Sequence, residues 1–322
     1  MEAPTNDQLV VNAQALTKSF GTVKVVQNVN FELTRGQILG LIGPSGSGKT
    51  TTVRMLVGIY EPTVGHIRVL GSRPAKFTPR IRERIGYMPQ QFALYPELTV
   101  WENMNFAASI YGMTVRREKR LAELLDFVDL GPHKKKLARN LSGGMKRRLS
   151  LAATLVHNPE LLFLDEPTAG IDPILRRRFW DHFKMLQQQG CTLFVTTQYV
   201  GEAAYCDNVG VMANGQLLMV ESPDGLRRRA FGGEVVDMVT KERLLFKDLQ
   251  QLSKLSFVQE PVTRLNDEGT GLRLVVNRAS TAMPALLEWC KSEYITMVSI
   301  EEYLPPFDDV FVELVKNAAT DS

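Results

Sequence analysis

The chain has 322 residues, 44% of them apolar and 23% charged, with a formal net charge of +3. That length is too great for one ordinary core and suits a large domain followed by a small one. The near-neutral balance gives no electrostatic footprint for nucleic acid, and no apolar run approaches the length of a bilayer span.

Three scattered cysteines, Cys191, Cys206 and Cys290, form no paired framework and read as buried free thiols of a reducing compartment. The start, Met1 to Asp7, lacks a basic region followed by an apolar core and is not a secretory signal. The default location is cytosolic. The basic runs Lys134 to Lys136, Arg176 to Arg178 and Arg227 to Arg229 read first as solvated helix faces. Contact with anionic lipid heads is the alternative.

In chain order, Leu9 to Ala15 and Val23 to Leu33 read as strands, with Gly21 marking the turn between them. Phe20, just before that turn, reads from its residue type as core. Gln37 to Ile42 is a short apolar run, predicting a buried strand, and Thr51 to Val57 predicts a helix. Between them stands Gly43-Pro44-Ser45-Gly46-Ser47-Gly48-Lys49-Thr50, which fits the phosphate-binding pattern G-x-x-x-x-G-K-[ST] at every fixed position. Glycines let the backbone wrap so that successive N–H groups face an anion, and the following helix adds its positive end. Lys49 is expected to reach the β- and γ-phosphates and the Thr50 hydroxyl to take a Mg²⁺ ion, with Thr51 next in the helix. The bland reading is a flexible glycine loop at a strand end.

Gly65 to Gly71 and Ile85 to Gln90 read as further strands, the second stopped by Pro89. From Thr99 to about Leu130 the period changes, and Leu121, Leu124, Leu125 and Val128 share one helical face. This is a helical insertion in a sheet-based core, about residues 91–140, within a helical subdomain of about 91–160. Ser142-Gly143-Gly144 then opens the helix Lys146 to Ala153, a second anion site or an ordinary cap.

Leu161 to Leu164 suits a central buried strand and ends in Asp165-Glu166-Pro167. Carboxylates at the C-terminal tip of a parallel strand sit where ligands bind in open α/β sheets. Asp165 is expected to hold Mg²⁺ through water, and Glu166 to polarise an attacking water. Asp172 looks like a helix cap with Pro173 at the first helical position, and Leu175, Phe179, Phe183 and Leu186 form a core stripe. Thr192 to Thr197 is another buried strand, followed by Gln198. Val209 to Met219 reads as a hairpin with Asn214-Gly215 at its turn.

The first domain is expected to close near residue 230, with Phe231-Gly232-Gly233 as linker. The remainder, 231–322, alternates: strand Glu234 to Thr240, helix Glu242 to Leu255, strands Phe257 to Leu265 and Leu272 to Asn277, helix Ser280 to Ser292, strand Ile295 to Tyr303, helix Phe307 to Asn317. That order is the ferredoxin-like one of a small α+β domain. It carries no catalytic cluster and suits regulation or docking.

Several motifs in one order make residues 9–225 resemble the ATP-binding subunit of an ABC transporter. Gly43 to Thr50 matches the Walker A loop. Gln90 stands at the Q-loop, where the family's glutamine contacts Mg²⁺ and the attacking water and senses the membrane partner. Leu141-Ser142-Gly143-Gly144-Met145 resembles the signature motif, with methionine where glutamine is most usual. Leu161 to Glu166 resembles Walker B with Glu166 in the catalytic position, and Ala169 to Asp172 resembles the D-loop. The resemblance moves Phe20 from plain core to the adenine-stacking position. More weakly, the tail with Phe307 to Phe311 resembles the extension of drug-resistance exporters similar to daunorubicin-export ATPases.

The resemblance implies a P-loop NTPase core of the ABC ATPase type in residues 1–230, binding ATP and Mg²⁺. It also implies a separate integral membrane partner, a head-to-tail dimer with a second ATP-binding subunit, and a peripheral place on the cytoplasmic face of the membrane. Where the family carries its switch histidine, this chain has Gln198. An amide still donates to a phosphate oxygen but cannot become cationic. Two readings stand: an ATPase with a modified switch that powers export, or an ATP-binding regulator that hydrolyses slowly. A soluble cassette protein of translation or repair is a third. It usually carries two cassettes or a long coiled-coil insertion, and neither is visible here.

Overall fold

A computed structural model describes residues 8–113 and 117–320; the start read as lacking a secretory signal lies outside them. The chain divides into two compact units, one up to Val220 and one from Glu221. The helix Pro223–Phe231 therefore falls with the second unit, ahead of the division expected near residue 230.

The first unit opens with β1 (Leu9–Phe20), β2 (Val23–Thr34) and β3 (Ile38–Ile42), then α1 (Lys49–Leu56), β4 (Val64–Val69), α2 (Pro79–Arg82) and β5 (Ile85–Met88). The strand expected to stop at Ala15 runs on to Phe20 through a bulge. Ala15 takes a left-handed φ of 49°, and its N–H donates to Asn30 Oδ1 at 2.8 Å. The helical segment follows as α3 (Val100–Ile110), α4 (Arg117–Phe127) and α5 (Gly143–Thr154). Thr99 and Glu102 cap α3 reciprocally, and Leu121, Leu124, Leu125 and Val128 are buried together, as their spacing predicts.

Next come β6 (Leu161–Asp165), α6 (Pro173–Gln188), β7 (Thr192–Thr197), a 3₁₀ turn over Val200–Tyr205, and the hairpin β8 (Asn208–Ala213) and β9 (Gln216–Glu221). Asn214 and Gly215 both have positive φ, 48° and 81°, as a two-residue turn of this hand requires. The stripe on α6 is wider than expected. Phe179 and Phe183 are fully buried, but so is Trp180, while Leu175 is only half-buried.

A three-stranded sheet has the order β2-β1-β4, and a six-stranded sheet the order β5-β6-β7-β3-β8-β9. In the latter, β5, β6, β7, β3 and β8 run parallel. β3, β6 and β7 are buried along their whole length, which explains their unbroken apolar runs. The register sets Leu164 beside Val195, Asp165 beside Thr196, and Leu41 and Ile42 beside Thr196 and Thr197. Three loops far apart in sequence thus leave the same edge of the sheet.

The second unit contains α7 (Pro223–Phe231), β10 (Glu234–Thr240), α8 (Phe246–Leu252), β11 (Val258–Arg264), β12 (Gly271–Val276), α9 (Ala279–Ser292), β13 (Met297–Tyr303) and α10 (Phe307–Thr320). Its antiparallel sheet has the order β11-β12-β10-β13. α8 is shorter than the helix expected over Glu242 to Leu255. The Glu242 carboxylate instead accepts from the N–H and hydroxyl of Thr296, at 2.7 and 2.8 Å, fixing that end as loop. All three cysteines are free and buried, and burial pushes the Cys191 thiol up to about 12.

Candidate functional site

The glycine loop leaves the tip of β3 and enters α1, as the strand and helix flanks predict. Gly48 has a φ of 104°, and a Cβ there would meet Val25 O and Met212 Cε at 2.7 Å each. Only glycine lets the loop close at this point. The helix starts at Lys49, two residues earlier than its apolar pattern suggests, so Thr50 and Thr51 lie in its first turn.

Lys49 is 2% exposed. Its Nζ donates to Gly43 O and Pro44 O, both at 2.9 Å, and lies 3.7 Å from Glu166 Oε1. Burial lowers its pKa, against the opposing pull of Glu166 and Asp165. The ammonium is folded back into the loop and aimed at the carboxylates. Ser47 Oγ is buried in the same loop with no partner, and Gly46, with a φ of 81°, shapes its exposed apex.

Asp165 and Glu166 leave the tip of β6, and the structure brings them to the loop. Thr50 Oγ1 donates to Asp165 Oδ1 at 3.0 Å, and Thr196 Oγ1 donates to the same oxygen at 2.8 Å. Asp165 Oδ2 is buried without any partner. An orphaned carboxylate oxygen beside a threonine hydroxyl fits Mg²⁺, a cation that seeks oxygen ligands. Among the described residues no group of three or more His, Cys, Asp or Glu side chains could hold a metal. The remaining ligands would be the Gln90 amide oxygen, phosphate oxygens and water.

Glu166 is buried with a left-handed φ of 48°. Its N–H donates to Thr196 O at 3.1 Å and to Thr196 Oγ1 at 3.0 Å, which pins the turn. Gln90, just past β5, donates from Nε2 to Glu166 Oε2 at 2.8 Å. Gln198, just past β7, accepts on Oε1 from Ser45 Oγ at 2.9 Å, so it meets the loop directly.

Other expected residues stand apart from this cluster. Phe20 is 44% exposed at the end of β1, edge-on to Tyr60 with ring centres 5.3 Å apart, and the Lys18 ammonium lies over its ring. That exposure contradicts the reading as core. Ser142 caps α5, accepting from Met145 N at 3.3 Å, with Gly143 and Gly144 in its first turn. Asp172 caps α6, accepting from Leu175 N at 2.9 Å. Among the described residues, no hydrogen bond links Ser142, Gly143, Gly144 or Asp172 to Gly43–Thr50.

Thr196 and Arg147 belong here and were not anticipated. Thr196 is wholly buried and touches both carboxylate residues, and its signal is a pair of hydroxyls, Thr196 and Thr197, closing the apolar run Leu193 to Val195 of a central strand. Arg147 on α5 feels the charges of Glu166 and Asp165, against a burial that lowers its pKa.

Residues 26–169 match the family model described as ABC transporter. The linearmycin resistance ATP-binding protein LnrL of Bacillus subtilis is 32% identical over 97% of this chain and 100% of its own length. This chain belongs to the ABC transporter ATP-binding proteins. The probable multidrug ABC transporter ATP-binding protein YbhF of Escherichia coli is 38% identical over 75% of this chain, but the match spans only 42% of that relative. A dimeric ATP-binding cassette solved in a post-hydrolysis state with ADP and Pi superposes with a TM-score of 0.61. It is 26% identical, over 66% of this chain and 98% of that one. No helix among the described residues is long and apolar enough to cross a membrane.

Proposed function

We propose that this ATP-binding chain is an ATPase whose turnover drives export of a substrate through a separate membrane-spanning partner. The observation that carries the reading is the meeting of Lys49, Asp165, Glu166, Gln90 and Gln198 at one edge of the sheet. The backbone N–H groups of Ser45 to Thr50 and the N-terminus of α1 take the β- and γ-phosphates, and Lys49 swings from the Gly43 and Pro44 carbonyls to them. Thr50, Asp165 and Gln90 are the residues that would hold Mg²⁺, which would neutralise phosphate charge as it builds up. Glu166 orients an attacking water and takes its proton, while Gln90 holds the carboxylate in place. Gln198 donates its amide N–H to a γ-phosphate oxygen, its carbonyl being occupied by Ser45. Phe20, at the end of β1, stacks on the adenine.

The site is half complete. Ser142, Gly143 and Gly144 sit exposed or half-exposed at the start of α5, and Asp172 is exposed at the start of α6, with no role at the phosphate loop of their own chain. They complete the ATP site of a second, head-to-tail copy. The relative solved as a dimer with ADP and Pi supports the pairing of two copies.

A groove of about 520 Å³ lies between the sheet core and α3, lined by Val57, Ile59, Phe77, Tyr87, Ile110 and Tyr111. Ile59 and Ile110 are 55% and 66% exposed there. Paired exposed isoleucines next to the strand that leads to Gln90 suit an amphipathic segment of the membrane partner. In this reading the chain works on the cytoplasmic face of the membrane. The second unit is a ferredoxin-like module for regulation or docking, a reading supported by its strand order. Ile110→Glu tests the export reading: the variant is expected to bind ATP normally and to lose co-purification with a detergent-solubilised membrane chain. Unchanged co-purification rejects this groove as the docking site.

A further inference from the structure

The 3₁₀ turn after Gln198 carries Glu202, a carboxylate only 2% exposed that no motif accounts for. Donors from three separate segments face it. Thr168 lies two residues past Glu166 and Thr197 immediately precedes Gln198, and both are buried. Trp180 and Arg176 come from α6, the helix that Asp172 caps. The Arg176 Nε lies 3.6 Å from Glu202 Oε1, and its guanidinium stacks 3.6 Å over the ring of Tyr199. Trp180 also stacks flat on Tyr205, 5.1 Å between centres, so α6 grips both ends of the turn.

Burial pushes the Glu202 carboxyl up, while Thr197, Thr168 and Trp180, then Arg176, pull it down. Both carboxylate oxygens, Thr168 Oγ1 and Trp180 Nε1 are buried with no hydrogen-bond partner. Remove the carboxylate and Arg176, 3.6 Å away, loses its buried ion-pair partner, while Thr197, Thr168 and Trp180 lose the charge they face. The turn above it is already strained, because Glu166 holds a left-handed φ that persists only when its surroundings fix it.

We infer that Glu202 is a positioning residue that ties the Glu166 turn, the Gln198 segment and the start of α6 into one unit. It touches no phosphate. It keeps the water-activating carboxylate and the γ-phosphate sensor in register with the helix that presents Asp172 to a second copy. The inference rests on the ATPase reading above for its kinetic consequence, but its structural content is independent of it.

The test compares Glu202→Ala and Glu202→Gln with wild type in the full chain, by Mg·ATP turnover, ATP affinity and amide hydrogen exchange. Alanine is expected to lower turnover about tenfold or more with affinity within about threefold. Glutamine keeps one acceptor oxygen and the shape, so it should recover turnover to within about threefold of wild type. In nucleotide-free protein, alanine should raise exchange in both 166–168 and 197–199. Turnover within about twofold of wild type for alanine, an equal fall in turnover and affinity, or no recovery by glutamine overturns the inference. Should Glu202→Ala not fold, Thr168→Val and Trp180→Phe each delete one donor, and unchanged turnover in both overturns it. If wild type itself shows no turnover, the ATPase reading fails, and unchanged exchange in the alanine variant then overturns this inference by itself.

Discussion

Lys49→Met removes the ammonium from the phosphate loop and keeps the unbranched stem. In the loop that ammonium is held by the Gly43 and Pro44 carbonyls at 2.9 Å each, with Glu166 at 3.7 Å. Binding exchanges these contacts for charge-assisted bonds to phosphate. The net worth of one such bond is about 1.5–3 kcal/mol, which at 1.4 kcal/mol per tenfold predicts an ATP affinity lower by about 10- to 150-fold. Lys49→Arg is not expected to rescue it. The side chain is 2% exposed, and a broad planar guanidinium finds no room there. The assay is titration with a fluorescent ATP analogue in Mg²⁺, with circular dichroism to confirm that the variant is folded. A folded Lys49→Met variant that binds within about threefold of wild type would refute the claim that this ammonium meets phosphate.

Gln198→His restores a side chain able to become cationic opposite the γ-phosphate. A gain of about 1 kcal/mol from a charge-assisted donor corresponds to about fivefold faster turnover, read as phosphate release; an unchanged rate removes the case that the amide limits hydrolysis. Stability should fall in mild acid. Burial lowers the pKa of His157, which stacks on Tyr111 at 3.7 Å, and of His182, both from an ordinary value of 6.5. The unfolded chain then binds more protons below 6.5, so stability is full above that pH and is lost as pH falls towards the folded values. Urea midpoints across this range should drop on acidification. His157→Gln, which keeps a donor for Ile85 O but cannot titrate, should flatten part of the slope; an unaltered slope would count against this assignment.

The phosphate loop was legible because its chemistry demands residues that few other structures tolerate. Gly48 needs its φ of 104° and has no space for a side chain, and Lys49 must follow it. The run Leu161 to Asp165 was legible because a strand covered on both faces has no polar positions until its tip. Thr196, Arg147 and Glu202 were not, because their roles come from partners distant in sequence. Thr196 matters only because β7 lies beside β6 in a register that sets it against Asp165. Glu202 matters because α6 and the turn after β6 close over it, and nothing local marks an acid as buried. Phe20 was misjudged as core for the complementary reason. Its apolar type is real, but the end of β1 stands free at the surface. Elements also ran longer or shorter than expected where side chains override the pattern, at the Ala15 bulge and at the Glu242 contact with Thr296.

The central claim is that Gly43 to Thr50 forms half of an ATP site which Ser142 to Gly144 of a second copy completes. Glu166→Gln keeps the shape of the turn and the contact with Gln90 but cannot take a proton from water. Light scattering of this variant with and without Mg·ATP is the direct test. A mass that doubles with ATP and returns to that of the monomer when ATP is removed is the predicted result. A variant that binds ATP to saturation and remains a monomer, or that still turns ATP over rapidly, would contradict it.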